Sequence, residues 1–78
     1  MTEIQINRLE HKKKEDSIIC AVCGFESEII AKVDGKKLNA KSIMNTPLIE
    51  RANNIDFTIS GVDEDKAVKG IRKYYELD

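Results

Sequence analysis

Apolar and polar residues alternate along four segments of the chain, and this period of two predicts four β-strands. The first predicted strand runs from Thr2 to Leu9. The second and third flank Asp34-Gly35, a pair that tolerates the positive φ angles of a tight turn, so an antiparallel hairpin is expected. The fourth ends at Gly61. The apolar positions of these strands are Ile4, Ile6, Ile29, Ala31, Val33, Leu38, Ala40, Ile55, Phe57 and Ile59.

Three further segments have apolar residues three and four positions apart, which is the period of an α-helix. The first predicted helix runs from Ser17 to Cys23 and is followed by Gly24. The second runs from Ser42 to Arg51, although Pro47 restricts it, and the third begins at Asp63. The predicted apolar faces are Ile18, Ile19, Val22 and Cys23 in the first helix, Ile43, Met44, Pro47 and Leu48 in the second, and Ala67, Val68, Ile71, Tyr74 and Tyr75 in the third.

The resulting order, β-α-β-β-α-β-α, predicts an α/β open-faced sandwich that forms a single domain over residues 1–78. A four-stranded antiparallel sheet would carry two longer helices and one short helix on one face. Gly70 lies inside the third helix, where glycine is unfavourable, so a close approach of that helix to the sheet is expected.

The composition excludes several classes of function. Thirteen basic and fourteen acidic residues leave a net charge of −1, so neither nucleic acid nor a membrane surface is an expected partner. No apolar run is long enough to span a membrane, and the N-terminal residues lack the pattern of a signal peptide, which favours a cytoplasmic protein.

The two cysteines, Cys20 and Cys23, have the spacing of a redox or metal motif. A zinc site needs about four ligands, so burial of both as small hydrophobic residues inside the first helix is favoured, with a small thiol redox module as the remote alternative. The acidic run Asp63–Asp65 lacks the ligand spacing of a calcium loop and is interpreted as helix capping. Neither a metal site nor a cofactor is predicted.

The segment Gly35–Met44 closely resembles the hairpin and regulatory-serine segment of HPr, the small phosphocarrier of the bacterial phosphoenolpyruvate:sugar phosphotransferase system, and of its relative Crh. The resemblance covers essentially the whole chain and implies the same fold as the element order. It places Ser42 on the family's regulatory serine and His11 on the phosphoryl-accepting histidine. Ile43 and Met44 match the family's exposed apolar pair, whereas their helical spacing alone would place them in the core.

The segment around His11 departs from the family pattern. Lys13 replaces an arginine that would hold phosphate with two hydrogen bonds, and Lys14 replaces a proline. The nearby Glu15 and Asp16 would repel a phosphate. The sequence allows two positions for the start of the first helix. With Asp16 as N-cap, His11 would precede the helix. With a start near Lys12, the side chains of Lys12 and Lys13 could hold a phosphate.

The resemblance therefore implies a phosphotransferase-system protein with no catalytic pocket of its own. We expect a divergent regulatory or adaptor protein that acts through protein contacts around Ser42, Ile43 and Met44. A dedicated serine kinase would phosphorylate Ser42, whose hydroxyl also suits an N-cap. The alternative is a working phosphocarrier that accepts a phosphoryl group on His11, stabilised by Lys13, and passes it to a sugar-specific component. Partners are expected among phosphotransferase-system proteins or a regulatory protein.

Overall fold

The computed structural model describes residues 1–7 and 17–75, which form four strands and three α-helices. The strands are β1 (Thr2–Asn7), β2 (Glu28–Val33), β3 (Lys36–Asn39) and β4 (Asn54–Ser60). The helices are α1 (Ile18–Val22), α2 (Thr46–Arg51), which follows a 3-10 turn at Ile43–Asn45, and α3 (Glu64–Tyr74). The predicted order of elements is confirmed.

The strands form one antiparallel sheet in the order β1-β4-β2-β3. The buried ring of Phe57 on β4 lies between Ile4 of β1 and Ala31 of β2, which are its partners in the register. The predicted hairpin between β2 and β3 is also confirmed, with positive φ angles of 51° at Asp34 and 81° at Gly35.

The helices cover one face of the sheet, and their inward side chains complete one hydrophobic core. α1 contributes Ile18 and Val22, and α2 contributes Ile49. The core aromatic rings meet at the end of α3, where the centroids of Tyr74 and Tyr75 lie 4.9 Å apart in an edge-to-face arrangement. The open-faced sandwich is thereby confirmed. Among the described residues, no helix is both long and apolar enough to cross a membrane.

The lengths and starts of the helices differ from the prediction. Only α3, with 11 residues, is long, whereas α1 and α2 have 5 and 6. α1 begins at Ile18, one residue after the predicted start, with Ser17 extended at its N-cap position. The alternative start near Lys12 lies outside the described residues. The Ile18 N–H donates to the carboxylate of Glu50 in α2, at 3.3 Å. The predicted second helix is divided, because Pro47 lacks an N–H and is accommodated only in the first turn of α2.

Both cysteines are exposed, so the prediction that they are buried is wrong. Each residue of an α-helix rotates the side chain by about 100°. Ile18 and Val22 therefore share the inner side of α1, and Cys20 and Cys23 lie on the opposite side. The contacts of α1 with the rest of the protein, rather than its apolar composition, determine which residues are buried.

The predicted close approach of Gly70 to the sheet is wrong. Gly70 instead lies close to the loop after α1. A Cβ atom at Gly70 would lie 2.8 Å from two ring carbons of Phe25. The Phe25 ring therefore lies directly on α3, and glycine provides the space for it.

The carboxylate of Asp63 joins the start of α3 to the loop before β2. Asp63 lies at the N-cap position of α3, yet its side chain makes no capping bond to that helix. It accepts hydrogen bonds from the backbone N–H groups of Glu26 and Ser27, both at 2.8 Å, and from the buried Ser27 hydroxyl at 2.5 Å. The Ser27 hydroxyl and the Glu26 N–H lower the pKa of Asp63 from 3.8 to about 2.

Two features next to Asp63 also hold the start of α3 in place, one against the Ser27 loop and one against β1. Gly61 has a φ of 151°, and a Cβ atom there would lie 2.6 Å from the Cα of Ser27, so any other residue would displace the loop. Glu64 accepts a hydrogen bond from the Thr2 hydroxyl at 2.5 Å and pairs with the Met1 amine at 3.1 Å. The Thr2 hydroxyl and the amine lower the pKa of Glu64.

We expect the stability of the protein to fall as the pH falls from 4 towards 2. Because the folded pKa of Asp63, about 2, lies below its ordinary value of 3.8, the unfolded chain binds the proton more readily in this window. Urea denaturation between pH 2 and 6 measures the effect. Asp63→Asn should destabilise the protein at pH 6 and flatten the profile below pH 4. Asp65→Asn, a control in the same helical turn, should leave the profile steep, and equal slopes for the two variants would contradict the assignment.

Candidate functional site

The segment between β3 and α2 contains the predicted regulatory and partner-binding residues, and Asn39 organises it. The backbone carbonyl of Asn39 accepts hydrogen bonds from the Ser42 N–H at 3.1 Å and from the side-chain amide of Asn45 at 3.2 Å. Its side-chain oxygen accepts from the Lys41 N–H at 3.0 Å. The turn is therefore held by short-range bonds at the end of a β-hairpin.

Ser42 is half-buried at the N-cap position of the 3-10 turn, but its hydroxyl makes no capping bond. The prediction of a capping hydroxyl is wrong. A capping hydroxyl would accept a hydrogen bond from the Asn45 N–H, but this N–H donates to the backbone carbonyl of Ser42 instead, at 3.0 Å. The same carbonyl accepts a hydrogen bond from the Thr46 hydroxyl at 3.4 Å. The Ser42 hydroxyl has no structural role as a cap.

Ile43 and Met44 are exposed, with 76% and 86% of their surfaces accessible. Helical spacing alone would place them in the core, whereas the family resemblance implies this exposure. Leu48, in the first part of α2, is 51% exposed. We call Ile43, Met44 and Leu48 the apolar patch. Large exposed apolar side chains are typical of protein contact sites when several of them occur close together in the chain.

A groove of about 240 Å³ continues from the apolar patch along the hairpin. Leu48 lies on its border, and two cationic side chains, Lys36 and Arg51, and the carboxylate of Asp34 also line it. The remaining lining residues are Val33, Leu38 and Ala52. No sequence pattern indicates this groove, because it forms between two separate elements, α2 and the β2–β3 hairpin.

Lys41 connects the candidate site to the loop between α1 and β2. Its ammonium donates a hydrogen bond to the backbone carbonyl of Phe25 in that loop. No local sequence pattern indicates this contact. The side chain fixes the residue immediately before Ser42.

His11 and Lys13 lie outside the residues that the structure describes. Their assignment as phosphoryl acceptor and phosphate stabiliser remains a prediction. Within residues 1–7 and 17–75, no group of three or more histidine, cysteine or acidic side chains could hold a metal ion.

Comparison with known proteins finds relatives among solved structures alone. No protein-family model matches the sequence, and no curated protein matches it. The fold is similar to that of HPr-C-His from Thermoanaerobacter tengcongensis, with a TM-score of 0.76, 27% identity, and coverage of 97% of this chain and 92% of that one. It is also similar to the phosphocarrier protein HPr from Bacillus anthracis str. Ames, with a TM-score of 0.73, 20% identity, and 95% coverage of both chains.

Ser42→Ala should change the free energy of unfolding by no more than about 0.5 kcal/mol, as expected for a surface side chain without a capping bond. A capping serine would contribute about 1 kcal/mol. Urea denaturation of the two proteins measures the difference. Asn39→Ala is the matched control and should destabilise the protein by about 1 kcal/mol, because it removes the acceptor for the Lys41 N–H. A loss of 1 kcal/mol or more for Ser42→Ala would mean that the hydroxyl does cap the turn.

Proposed function

This chain is an HPr-like protein, and we propose that it is a divergent regulatory or adaptor member of that family which binds other proteins through the apolar patch. The observation that carries the proposal is the exposure of Ile43 and Met44 on a turn held by Asn39. The protein would perform no catalytic step of its own. Its partners would be phosphotransferase-system proteins or a regulatory protein, and it would act in the cytoplasm.

The physical basis of binding is burial of the apolar patch. Complete burial of a side chain such as isoleucine or methionine contributes about 1.5–3 kcal/mol, so Ile43 and Met44 would serve as the apolar anchors of a larger contact. The cations Lys36 and Arg51 line the adjoining groove. We therefore expect a partner with an apolar pocket and acidic residues at its rim.

Ser42 would be the switch of this contact. It directly precedes the apolar patch, and its hydroxyl makes no capping bond that phosphorylation would have to break. A phosphate would add nearly two negative charges beside the patch. With an acidic partner rim, the charge would weaken binding by repulsion and would not require refolding. A dedicated serine kinase would place it there.

The second candidate function is phosphoryl transfer through His11. The similar protein from Bacillus anthracis is a phosphocarrier, which favours this function. In this function the first enzyme of the phosphotransferase system would transfer a phosphoryl group to an imidazole nitrogen of His11. Lys13 would offer a single charge in place of a two-pronged arginine, and the carboxylates of Glu15 and Asp16 would oppose the phosphate.

Ile43→Ala and Met44→Ala should each weaken binding to a phosphotransferase-system partner about tenfold or more, because each removes apolar contact surface. Calorimetry with the purified first enzyme and the HPr serine kinase as probes measures the affinities. Val62→Ala is the matched control, since Val62 is an exposed apolar residue, 87% accessible, outside the apolar patch. Ser42→Asp should also weaken binding. Equal affinities for all four variants, or no binding to either probe, would contradict the proposal.

We expect incubation with phosphoenolpyruvate and the first enzyme to label His11 at least about 100-fold more slowly than a working HPr. Loss of one two-pronged donor to a charged group commonly has an effect of this size. Acid-labile radioactivity on the chain is the measurement, and His11→Ala provides the background. Labelling at the rate of the working carrier would overturn the adaptor proposal in favour of the phosphocarrier.

A further inference from the structure

The outer face of α1 carries a second site, independent of the apolar patch. We propose that Cys20 and Cys23 together bind one soft, thiophilic metal ion of the Cu(I) class through two thiolates. Nothing in the proposed adaptor function requires this site. Its failure or success therefore leaves the assignment of Ile43 and Met44 unchanged.

The two thiols share one side of the helix. Three residues of an α-helix rotate the side chain by about 300°, so Cys20 and Cys23 project only about 60° apart. Both are exposed, free cysteines. The buried residues Ile18 and Val22 lie on the opposite side and attach α1 to the core. Neither thiol is used in packing the helix.

The exposure of the pair is unusual. Cysteine is among the residue types most often buried, so two exposed cysteines one helical turn apart are unusual in a small protein.

The spacing favours metal binding over a disulfide. Side chains three apart on a helix have Cβ atoms about 5–6 Å apart, whereas a disulfide requires about 3.5–4.5 Å. A single ion with two metal–sulfur bonds of about 2.3 Å bridges the wider gap without unwinding α1. A disulfide would have to distort the helix. The intact helix is therefore better suited to an ion than to the redox module that the cysteine spacing had suggested as a remote alternative.

The chemistry of the ligands selects the class of ion. The two ligands are the thiolates of Cys20 and Cys23. Soft thiolates favour Cu(I), which accepts a two-thiolate site. Binding would release both thiol protons to solvent, leaving two thiolate–copper bonds and one negative charge on the complex. The affinity should therefore increase with pH.

Anaerobic competition between the reduced full chain and a chromophoric Cu(I) chelator tests the proposal. We expect one ion per monomer, an ultraviolet thiolate-to-copper absorption band, and an affinity that rises with pH. Cys20→Ser and Cys23→Ser should each weaken binding by about 100-fold or more, because each converts a chelate into a single ligand. Both variants should unfold at the same urea concentration as the parent, since neither thiol is buried.

Val62→Ser is the matched control, because Val62 is an exposed residue outside both α1 and the apolar patch. It should retain the full affinity. Three results would overturn the proposal: no retention of Cu(I) against the chelator, unchanged affinity in either serine variant, or one ion bound per two chains. The last result would place the ligands between copies of the chain rather than on one helix.

Discussion

The arrangement of the helical layer depends on the hydrogen bonds that the carboxylate of Asp63 accepts. It accepts three hydrogen bonds from Glu26 and Ser27, across 36 residues or more of sequence, and so joins the start of α3 to the loop before β2. Gly61 allows the backbone to approach Ser27 closely enough for these bonds. In the same loop, the ring of Phe25 packs on Gly70, and the backbone carbonyl of Phe25 accepts a hydrogen bond from the Lys41 ammonium. One junction thereby positions α1, α3 and the residue before the candidate switch.

The apolar patch depends on a different constraint. Pro47 has no N–H to donate, so α2 begins at Thr46 and the preceding residues form a 3-10 turn. That turn directs Ile43 and Met44 outward while Ile49, in α2, remains in the core. The fold supplies a rigid frame for the patch but does not specify what binds there, as is general for small folds that serve several functions.

The sequence resembles HPr, and the exposure of Ile43 and Met44 that this resemblance implies is observed. The wrong predictions share a cause. The cysteines, the Ser42 hydroxyl and Gly70 were each interpreted from local spacing, yet their surroundings depend on residues distant in sequence. Cys23 directly follows the apolar helix that contains Ile18, but only contact with α2 and α3 shows which side of α1 is covered. The groove beside Leu48 could not be predicted from the sequence, because it forms between separate elements, α2 and the β2–β3 hairpin.

By itself, the sequence determined the four strands, the Asp34-Gly35 turn and the amphipathic α3, because alternation, helical spacing and turn chemistry are properties of neighbouring residues. Only the tertiary structure decided which side chains are exposed and which carboxylate serves as an anchor. The burial of a side chain and the hydrogen bonds of Asp63 depend on which helices and strands pack against each other. A pattern of neighbouring residues does not contain this information. For that reason, the exposure of Ile43, Met44 and the two cysteines is a consequence of packing. The two binding proposals concern these residues.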